Sequence, residues 1–205
     1  MNHPSLPGSL APPDLADHPH AWPVAASTRR WDNPFLSVRT DRIVDPSGEE
    51  HDRAVVEHRG AVAILALDED DRVLLVEQYR HPVGLRMLEI PAGVLDVDGE
   101  SSREAAAREL GEEADVAAAT WEELFTMAAT PGYSTEQWVL WRATGLSPLP
   151  QGDRTRREAE EADLVQWWMP LDDAVEAILA GRIGDALTVA GILSEQVRRR
   201  SSHDV

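Results

Sequence analysis

Residues 89–116 read EIPAGVLDVDGESSREAAARELGEEADV, and this stretch decides how the whole chain is interpreted. Its second half, residues 101–114, is rich in Ala, Glu and Arg and predicts a helix. On that helix Glu109 and Glu113 lie one turn apart on the same face. The opposite side carries small or apolar residues suited to burial against a sheet, namely Ala106, Ala107, Leu110 and Ala114. By itself, a pair of glutamates four residues apart is typical of an acidic, solvated helix face.

The loop before this helix changes that interpretation. It contains Pro91, Gly93 and Gly99, and glycines let a backbone approach neighbouring groups closely. Backbone carbonyls from such a loop and carboxylates from the helix are oxygen ligands, which hard divalent cations prefer. Mg²⁺ takes few ligands from the protein and completes its octahedron with water and substrate phosphate. The segment therefore predicts a divalent-cation site.

The same segment resembles the signature of the Nudix hydrolases. That signature is a glycine, five residues, a glutamate, seven residues, and then Arg-Glu-aliphatic-x-Glu-Glu-x-Gly-aliphatic. The chain supplies Gly93, Glu100, Arg108, Glu109, Leu110, Glu112, Glu113 and Val116. It departs twice: six residues separate Gly93 from Glu100, and Asp115 stands at the glycine position. If that position needs a positive φ, Asp is among the better substitutes, at a cost of about 1 kcal/mol.

The resemblance extends from about Arg53 to Gly191 and points to the ADP-ribose pyrophosphatase branch. The blocks VVEHRGAVAIL, VEQYRHP and EIPAGVLD are similar to that branch, and Pro131 lies 15 residues after Val116. The resemblance implies Mg²⁺-dependent hydrolysis of the diphosphate bond of ADP-ribose to AMP and ribose 5-phosphate, with Mn²⁺ as the alternative ion. Three alternative functions stay open: hydrolysis of a sugar nucleotide or NADH, hydrolysis of an oxidised nucleoside triphosphate, and non-catalytic sensing of a nucleotide.

The resemblance also implies roles for the residues of this segment. Glu109 and Glu113 are the expected principal metal ligands, with Glu112 and the carbonyl of Ala92 contributing. Arg108 is expected to orient Glu112 rather than to contact substrate. The alternative is a set of ordinary ion pairs along a helix.

A general base is expected from outside the metal-binding segment, because a carboxylate bound to a metal is a poor proton acceptor. The acidic loop 157–163 is its expected source, and the resemblance implies Glu161 first and Glu160 second; the alternative is a solvated acidic loop. Arg80 is predicted to bind phosphate, against a structural salt bridge. The resemblance implies that Arg53 lies near the adenine, and Glu89 is expected to hold substrate or backbone amides. Trp31 and Phe35 are candidates for stacking on the base, although aromatic residues in strands are more often core.

Composition limits the partners. The chain has 37 acidic and 19 basic residues, a formal charge of −18, and all of its basic residues are arginine. Such acidity disfavours nucleic acid and anionic membranes as partners, but not a small phosphorylated substrate whose charge metal ions screen. The absence of cysteine excludes disulfides and thiol nucleophiles, and the absence of lysine excludes a Schiff base. The first residues have no apolar run typical of a signal peptide, so a cytoplasmic protein is expected.

Three regions are predicted along the chain. Residues 1–20 form a flexible tail, 21–59 a small antiparallel sheet of three short strands, and 60–205 the Nudix hydrolase domain. In this last region, the apolar runs 61–67 and 73–79 flank an acidic turn and predict a hairpin. Beyond the Gly- and Pro-rich loop and the helix, the patterns predict strands near 121–129, 137–144 and 163–169 and helices at 170–181 and 185–200.

The fold class predicted from this order is α/β (α+β). It is a Nudix-type mixed sheet sandwiched between helices, with a small N-terminal antiparallel sheet. The resemblance implies a homodimer whose N-terminal sheets exchange, so that each completes the partner's site.

Overall fold

Strands dominate the first half of the chain, and the last helices lie near its end. The structure, a computed structural model, describes residues 6–154, 157 and 163–203, with the backbone alone at 202 and 203. Its elements are β1 (Val24–Asp32), β2 (Leu36–Val44), β3 (Glu50–His58), β4 (Ala61–Ala66), β5 (Arg72–Arg80), β6 (Leu85–Glu89), β7 (Ala92–Val94), α1 (Ser102–Ala114), β8 (Val116–Ala128), β9 (Gln137–Pro148), a 3₁₀ turn (Gln151–Asp153), β10 (Val165–Pro170), α2 (Leu171–Leu179) and α3 (Ala186–His203).

The described strands form three sheets. Strands β1, β2 and β3 make the N-terminal antiparallel sheet, and β10, β5 and β6 make a second antiparallel sheet. The third sheet has the order β7-β4-β9-β8, and β4 and β9 run parallel within it. The mixed α/β fold with a small N-terminal sheet is therefore confirmed.

Strand β4 explains the layering. All six of its residues, Ala61–Ala66, are buried. Ile64 packs in one apolar cluster with Leu110 of α1, and Leu65 packs in another with Ile192 of α3. Successive side chains of a strand point to opposite faces, so β4 separates α1 from the two C-terminal helices. The mixed sheet thus lies between helices, as predicted.

Helix α1 begins and ends at well-defined caps. The Ser101 hydroxyl accepts a hydrogen bond from the Glu104 N–H, and the Glu104 side chain accepts from the Ser101 N–H, which makes a capping box. The helix ends at Ala114, and Asp115 takes a left-handed conformation with φ 55° and ψ 32°. The position therefore has a positive φ, the condition under which Asp is among the better substitutes for glycine. Ala107 is only half-buried, and Ala105 is buried in its place.

The predicted hairpin of 61–67 and 73–79 is wrong. Strands β4 and β5 lie in different sheets, and only the single bridge between Leu67 and Val73 joins the two runs. Asp71 has a φ of 60°, and its carbonyl accepts from the N–H of Leu171. Strand β5 instead pairs with β6 and β10. Both runs are apolar on both faces, so their pattern does not specify a pairing partner.

The loop rich in Gly and Pro contains two strands that the sequence does not reveal. Strands β6 and β7 are only five and three residues long, and glycine and proline flank or interrupt them. Strand β6 places Glu89 next to β5, and β7 places Ala92 and Gly93 on the edge of the mixed sheet beside α1. The missed strands therefore position part of the predicted site.

The N-terminal sheet joins the rest of the chain through β3. The N–H of Val56 donates to the carbonyl of Tyr133 at 2.7 Å, and the N–H of Thr135 donates to the carbonyl of Val56 at 2.9 Å. At the far edge of this sheet every residue of β1 is exposed. The division into a 1–20 tail, a 21–59 sheet and a 60–205 domain stays a prediction.

The two C-terminal helices agree with their predicted positions. Gly181, with a φ of 70°, follows the end of α2 and makes the turn toward α3. None of the helices in the described part of the chain combines the length and apolar character that a membrane crossing requires.

Glu195 of α3 forms the centre of a buried ion cluster. Its side chain is inaccessible to solvent and accepts hydrogen bonds from Arg142 at 3.2 Å, Arg198 at 2.8 Å and Arg199 at 2.9 Å. Burial raises the pKa of Glu195. The hydrogen bonds from Arg198 and Arg199 and the charge of Arg142 lower it by more than burial raises it, so that the net pKa is about 2. The cluster fastens α3 to β9.

Glu195→Gln is expected to lower the free energy of unfolding by about 3 kcal/mol at neutral pH, because removing one partner leaves buried charge uncompensated. The folded pKa of about 2 lies below the ordinary 4.5, so the carboxylate stabilises the fold above pH 4.5. That contribution is lost as the pH falls through the folded pKa. Urea unfolding at pH 7 and near pH 3 measures it, with the exposed Glu123→Gln as control. A difference between wild type and variant that is the same at both pH values would contradict the assignment.

Candidate active site

A cavity of about 610 Å³ opens where α1, β7 and the end of β5 meet. The predicted site residues that line it are Arg80, Ala92, Arg108, Glu109, Glu112 and Glu113. Arg53 and Glu89 are absent from its lining among the described residues, and Glu160 and Glu161 lie outside the described residues. The structure therefore brings together the residues of the helix and loop, as the sequence predicts.

Glu109 lies against the backbone of Gly93. A Cβ built on Gly93 would stand 1.9 Å from the carboxylate carbon of Glu109, which only a glycine at this position allows. The Glu109 residue is 9% exposed and faces the cavity. Glycine is thus required at position 93 by the close approach of the Glu109 carboxylate. The backbone conformation does not require it, since the φ of Gly93 is not positive.

Glu113 lies one turn further along α1 and is held by the same loop. Its Oε2 accepts a hydrogen bond from the N–H of Ala92 at 3.0 Å, and the residue is 3% exposed. A buried carboxylate needs such partners, because burial without them disfavours the charged form. The contact places Ala92 beside Glu113, while the expected role of the Ala92 carbonyl as a ligand stays a prediction.

Arg108 connects the acidic residues of the site. Its guanidinium donates to Glu109 at 2.6 Å, to Glu112 at 3.0 Å and to both oxygens of Glu100 at 3.1 Å. The hydrogen bond to Glu100 is the main cause of a pKa raised above the ordinary value of Arg108. The geometry agrees with the expected orientation of Glu112 by Arg108, whose role in the reaction stays a prediction.

The residues at the cavity fit a hard divalent ion. Glu109 and Glu113 present oxygen donors next to the Gly93 backbone, and Mg²⁺ needs only one or two carboxylates when a phosphate is bound. Elsewhere among the described residues, Asp45, Glu49 and His51 have ligand atoms that lie within 4.8 Å of one another. There the Asp45 carboxylate accepts from the N–H groups of a tight turn, which explains its position without an ion.

Arg80 and Glu89 form a pair across β5 and β6. The Arg80 guanidinium donates to Glu89 at 3.0 and 2.6 Å, and the side chain of Gln78 donates to Glu89 at 3.2 Å. This hydrogen bonding raises the pKa of Arg80. The salt bridge weighed as the alternative for Arg80 is therefore present, although Arg80 still lines the cavity. The hydrogen bonds of Glu89 among the described residues go to these two side chains, and its expected role in holding substrate or backbone amides stays a prediction.

Arg59 is a cavity residue that the sequence analysis does not single out. It follows the end of β3, is exposed, and donates to the carbonyl of Asp96 at 3.1 Å. No ion pair of Arg59 with a carboxylate occurs among the described residues. Its charge is therefore more available to an anionic ligand than that of Arg80. The only sequence signal is an arginine before Gly60, and that signal is too weak to predict a site.

Three further candidates lie on or near the N-terminal sheet. Arg53 is exposed on β3, and its guanidinium donates to the carbonyl of Asp52 at 3.0 Å. Trp31 and Phe35 are 50% and 71% exposed, so neither is a core residue in this chain. Phe35 lines the cavity, as an aromatic that contacts a base is expected to do.

The fold and this acidic cavity define the class of protein. A family model described as NUDIX domain matches residues 57–189, and the chain belongs to this family of hydrolases. It is 41% identical over 160 residues to an ADP-ribose pyrophosphatase of Mycobacterium tuberculosis, which covers 78% of this chain and 76% of that protein. It is 34% identical over 168 residues to a methanol dehydrogenase activator of Bacillus methanolicus, covering 82% and 89%. The solved structure of an ADP compounds hydrolase superposes with a TM-score of 0.76 at 19% identity, covering 93% and 100%, and supports the fold.

Proposed function

We propose that the chain hydrolyses the diphosphate bond of ADP-ribose and releases AMP and ribose 5-phosphate, with Mg²⁺ as its cofactor and Mn²⁺ as the alternative ion. The observation that carries the proposal is the position of Glu109 and Glu113, two buried carboxylates of one helix at the wall of a cavity that arginines also line. The relative named ADP-ribose pyrophosphatase, 41% identical, supports the choice of substrate.

Each residue has a task in this reaction. Hydrolysis of a diphosphate needs its charge neutralised and a water molecule placed in line with the leaving group. Arg59, with Arg80 beside it, binds the diphosphate from the cavity wall through charge-assisted hydrogen bonds. When bound, Mg²⁺ neutralises phosphoryl charge and lowers the pKa of a bound water. Glu109 and Glu113 hold the ion, and Glu112, oriented by Arg108, contributes to the same site.

The proton of the attacking water goes to a carboxylate that binds no metal. We assign this role to Glu161, with Glu160 as the second candidate, because both lie in the acidic stretch 157–163 outside the metal-binding helix. Glu161→Gln is expected to lower kcat about a hundredfold with little change in KM, and Glu160→Gln to have a small effect. Steady-state kinetics of the two variants measures this, with Glu158→Gln as control. Near-normal rates for both variants would show that neither Glu161 nor Glu160 is the general base.

We also propose a homodimer with exchanged N-terminal sheets. Every residue of β1 is exposed, including Val24 and Trp31, and Arg53 is absent from the lining of the cavity described for its own chain. Exchange of the sheets offers Arg53 a place at the partner's cavity. Light scattering of the full chain tests the assembly. The cytoplasmic location and the lack of nucleic-acid and membrane partners stay predictions.

The assay for the proposed function is the purified chain with ADP-ribose and Mg²⁺, followed by chromatography of the products. Formation of AMP and ribose 5-phosphate in equal amounts, abolished by a chelator, is the expected result. A parallel panel of a sugar nucleotide, NADH and a nucleoside triphosphate separates the alternative substrates. Binding of ADP-ribose without turnover would instead support the nucleotide-sensor reading.

A further inference from the structure

We propose that Asp115 and Arg157 are a positioning pair that fixes the last turn of α1, from which Glu112 and Glu113 reach the cavity. Asp115 stands where the family signature has glycine. The inference rests on the proposed function, since it assigns these two residues to the placement of the expected metal-binding carboxylates. It rests on four observations: the backbone of Asp115, the contacts of Arg157, the other anchors of the turn, and the composition of α1.

Asp115 is locally unfavourable at its position. Its φ of 55° and ψ of 32° lie in the left-handed region, which glycine adopts more readily than any residue with a Cβ. Its Oδ1 is buried and has no hydrogen-bond partner among the described residues. A carboxylate held in this way needs a compensating contact. Arg157 supplies it, because its Nη2 donates to Asp115 Oδ2 at 2.8 Å.

Arg157 also caps the helix. Its Nε donates to the backbone carbonyl of Glu112 at 3.0 Å, so one guanidinium holds both the side chain after the helix and a carbonyl of its last turn. Helix α1 has no basic residue of its own in that turn. A cation at a helix C-terminus interacts favourably with the helix dipole and with the unpaired carbonyls. Here the cation comes from a segment 42 residues further along the chain.

Two further contacts complete the anchoring of this turn. The side chain of Gln166 donates to the carbonyl of Glu113 at 3.2 Å, and the N–H of Leu149 donates to the carbonyl of Asp115 at 2.8 Å. The turn therefore has fixed points on β10, on the chain after β9 and at Arg157. A catalytic geometry that shifts by about 1 Å can lose about a hundredfold in rate. Anchoring of the backbone that bears Glu112 and Glu113 is thus a functional requirement.

The decisive variant is Asp115→Gly, which removes the ion pair and at the same time relieves the left-handed backbone. A purely structural role predicts an unchanged kcat, since glycine suits the conformation. A positioning role predicts that kcat falls about tenfold, as for other groups that orient metal ligands, with KM changed by less than about twofold and the melting temperature maintained. Arg157→Gln is expected to cause a similar loss of kcat, and the double variant no further loss, because the two residues act as one unit.

Arg182→Gln is the matched control. Arg182 is an exposed arginine between α2 and α3, and none of the contacts named above for this turn involves it. Its replacement is expected to leave kcat unchanged. Unchanged kcat in both Asp115→Gly and Arg157→Gln, or fully additive losses in the double variant, would overturn the proposal.

Hydrogen exchange of the full chain without substrate or metal gives a readout that does not depend on turnover. Amides of residues 111–115 are expected to exchange faster in Asp115→Gly and Arg157→Gln than in wild type, and at the wild-type rate in Arg182→Gln. If wild type does not hydrolyse ADP-ribose while these amides behave as expected, the proposed function fails and the anchoring stands. If wild type is active and the amides of all variants exchange alike, the positioning pair fails and the proposed function stands.

Discussion

Glu109→Gln is expected to lower kcat for ADP-ribose about a thousandfold and to leave the fold intact. Glutamine keeps the shape that packs against Gly93, and Arg108 keeps its hydrogen bonds to Glu100 and Glu112. What is lost is the negative charge that we propose to hold the ion, and a bound ion contributes several kcal/mol to the stabilisation of the transition state. A loss of about 4 kcal/mol corresponds to about a thousandfold. Steady-state kinetics measures the loss of kcat, circular dichroism tests whether the fold is intact, and calorimetric titration with Mn²⁺ measures the loss of ion binding.

The matched control for this variant is Glu104→Gln. Glu104 lies on the same helix, is exposed, and belongs to the capping box rather than to the cavity. Glutamine also serves in a capping box, so helix stability is kept. The control is expected to have the kcat of wild type. A Glu109→Gln enzyme with near-normal kcat, or a Glu104→Gln enzyme equally impaired, would show that the acidic face of α1 does not carry the chemistry.

The parts of the fold that follow from the sequence are those that local patterns determine. Ser101 and Glu104 define the start of α1, and the helix period sets Glu109 and Glu113 one turn apart. Asp115 takes the left-handed conformation that Asp tolerates better than most residues. Strand pairing is different, because it depends on which edges are available. The run 61–67 is apolar throughout and fits equally as a hairpin arm or as the centre of a mixed sheet. One of its actual neighbours is β9, where Ala61 pairs with Trp138, 77 residues further along the chain, and no local signal encodes such a separation.

The same distinction applies to the site. The carboxylates of α1 are predictable because they lie on one helix, and the glycine-containing loop that contacts them comes directly before that helix in the sequence. The partnership of Arg80 with Glu89 is not, because it depends on β6, a strand of five residues within a segment rich in glycine and proline. Arg59 and Arg157 reach the site region through contacts with Asp96 and with the end of α1. A single sequence gives no measure of such distances.

Gly93→Ala is expected to abolish turnover as fully as the loss of Glu109 does, about a thousandfold, while the protein folds normally. The added Cβ would lie 1.9 Å from the carboxylate carbon of Glu109 and 2.2 and 2.3 Å from its oxygens, so the carboxylate must move. The clash is with the far end of a flexible side chain, which can rotate away at little cost to the fold. Catalysis is more sensitive, since a metal ligand displaced by more than 1 Å no longer holds its ion.

Kinetics and thermal unfolding of three variants distinguish this displacement from a general effect of replacing glycine. Gly132→Ala is the control, because a Cβ there meets no atom within 4 Å and its φ is not positive. It is expected to keep both kcat and melting temperature. Gly93→Ala combined with Glu109→Gln is expected to be no slower than either single variant, because both act on the same carboxylate. A Gly93→Ala enzyme with wild-type kcat would mean that the Glu109 carboxylate is not needed where the structure places it, and the metal site would have to lie elsewhere on the cavity wall.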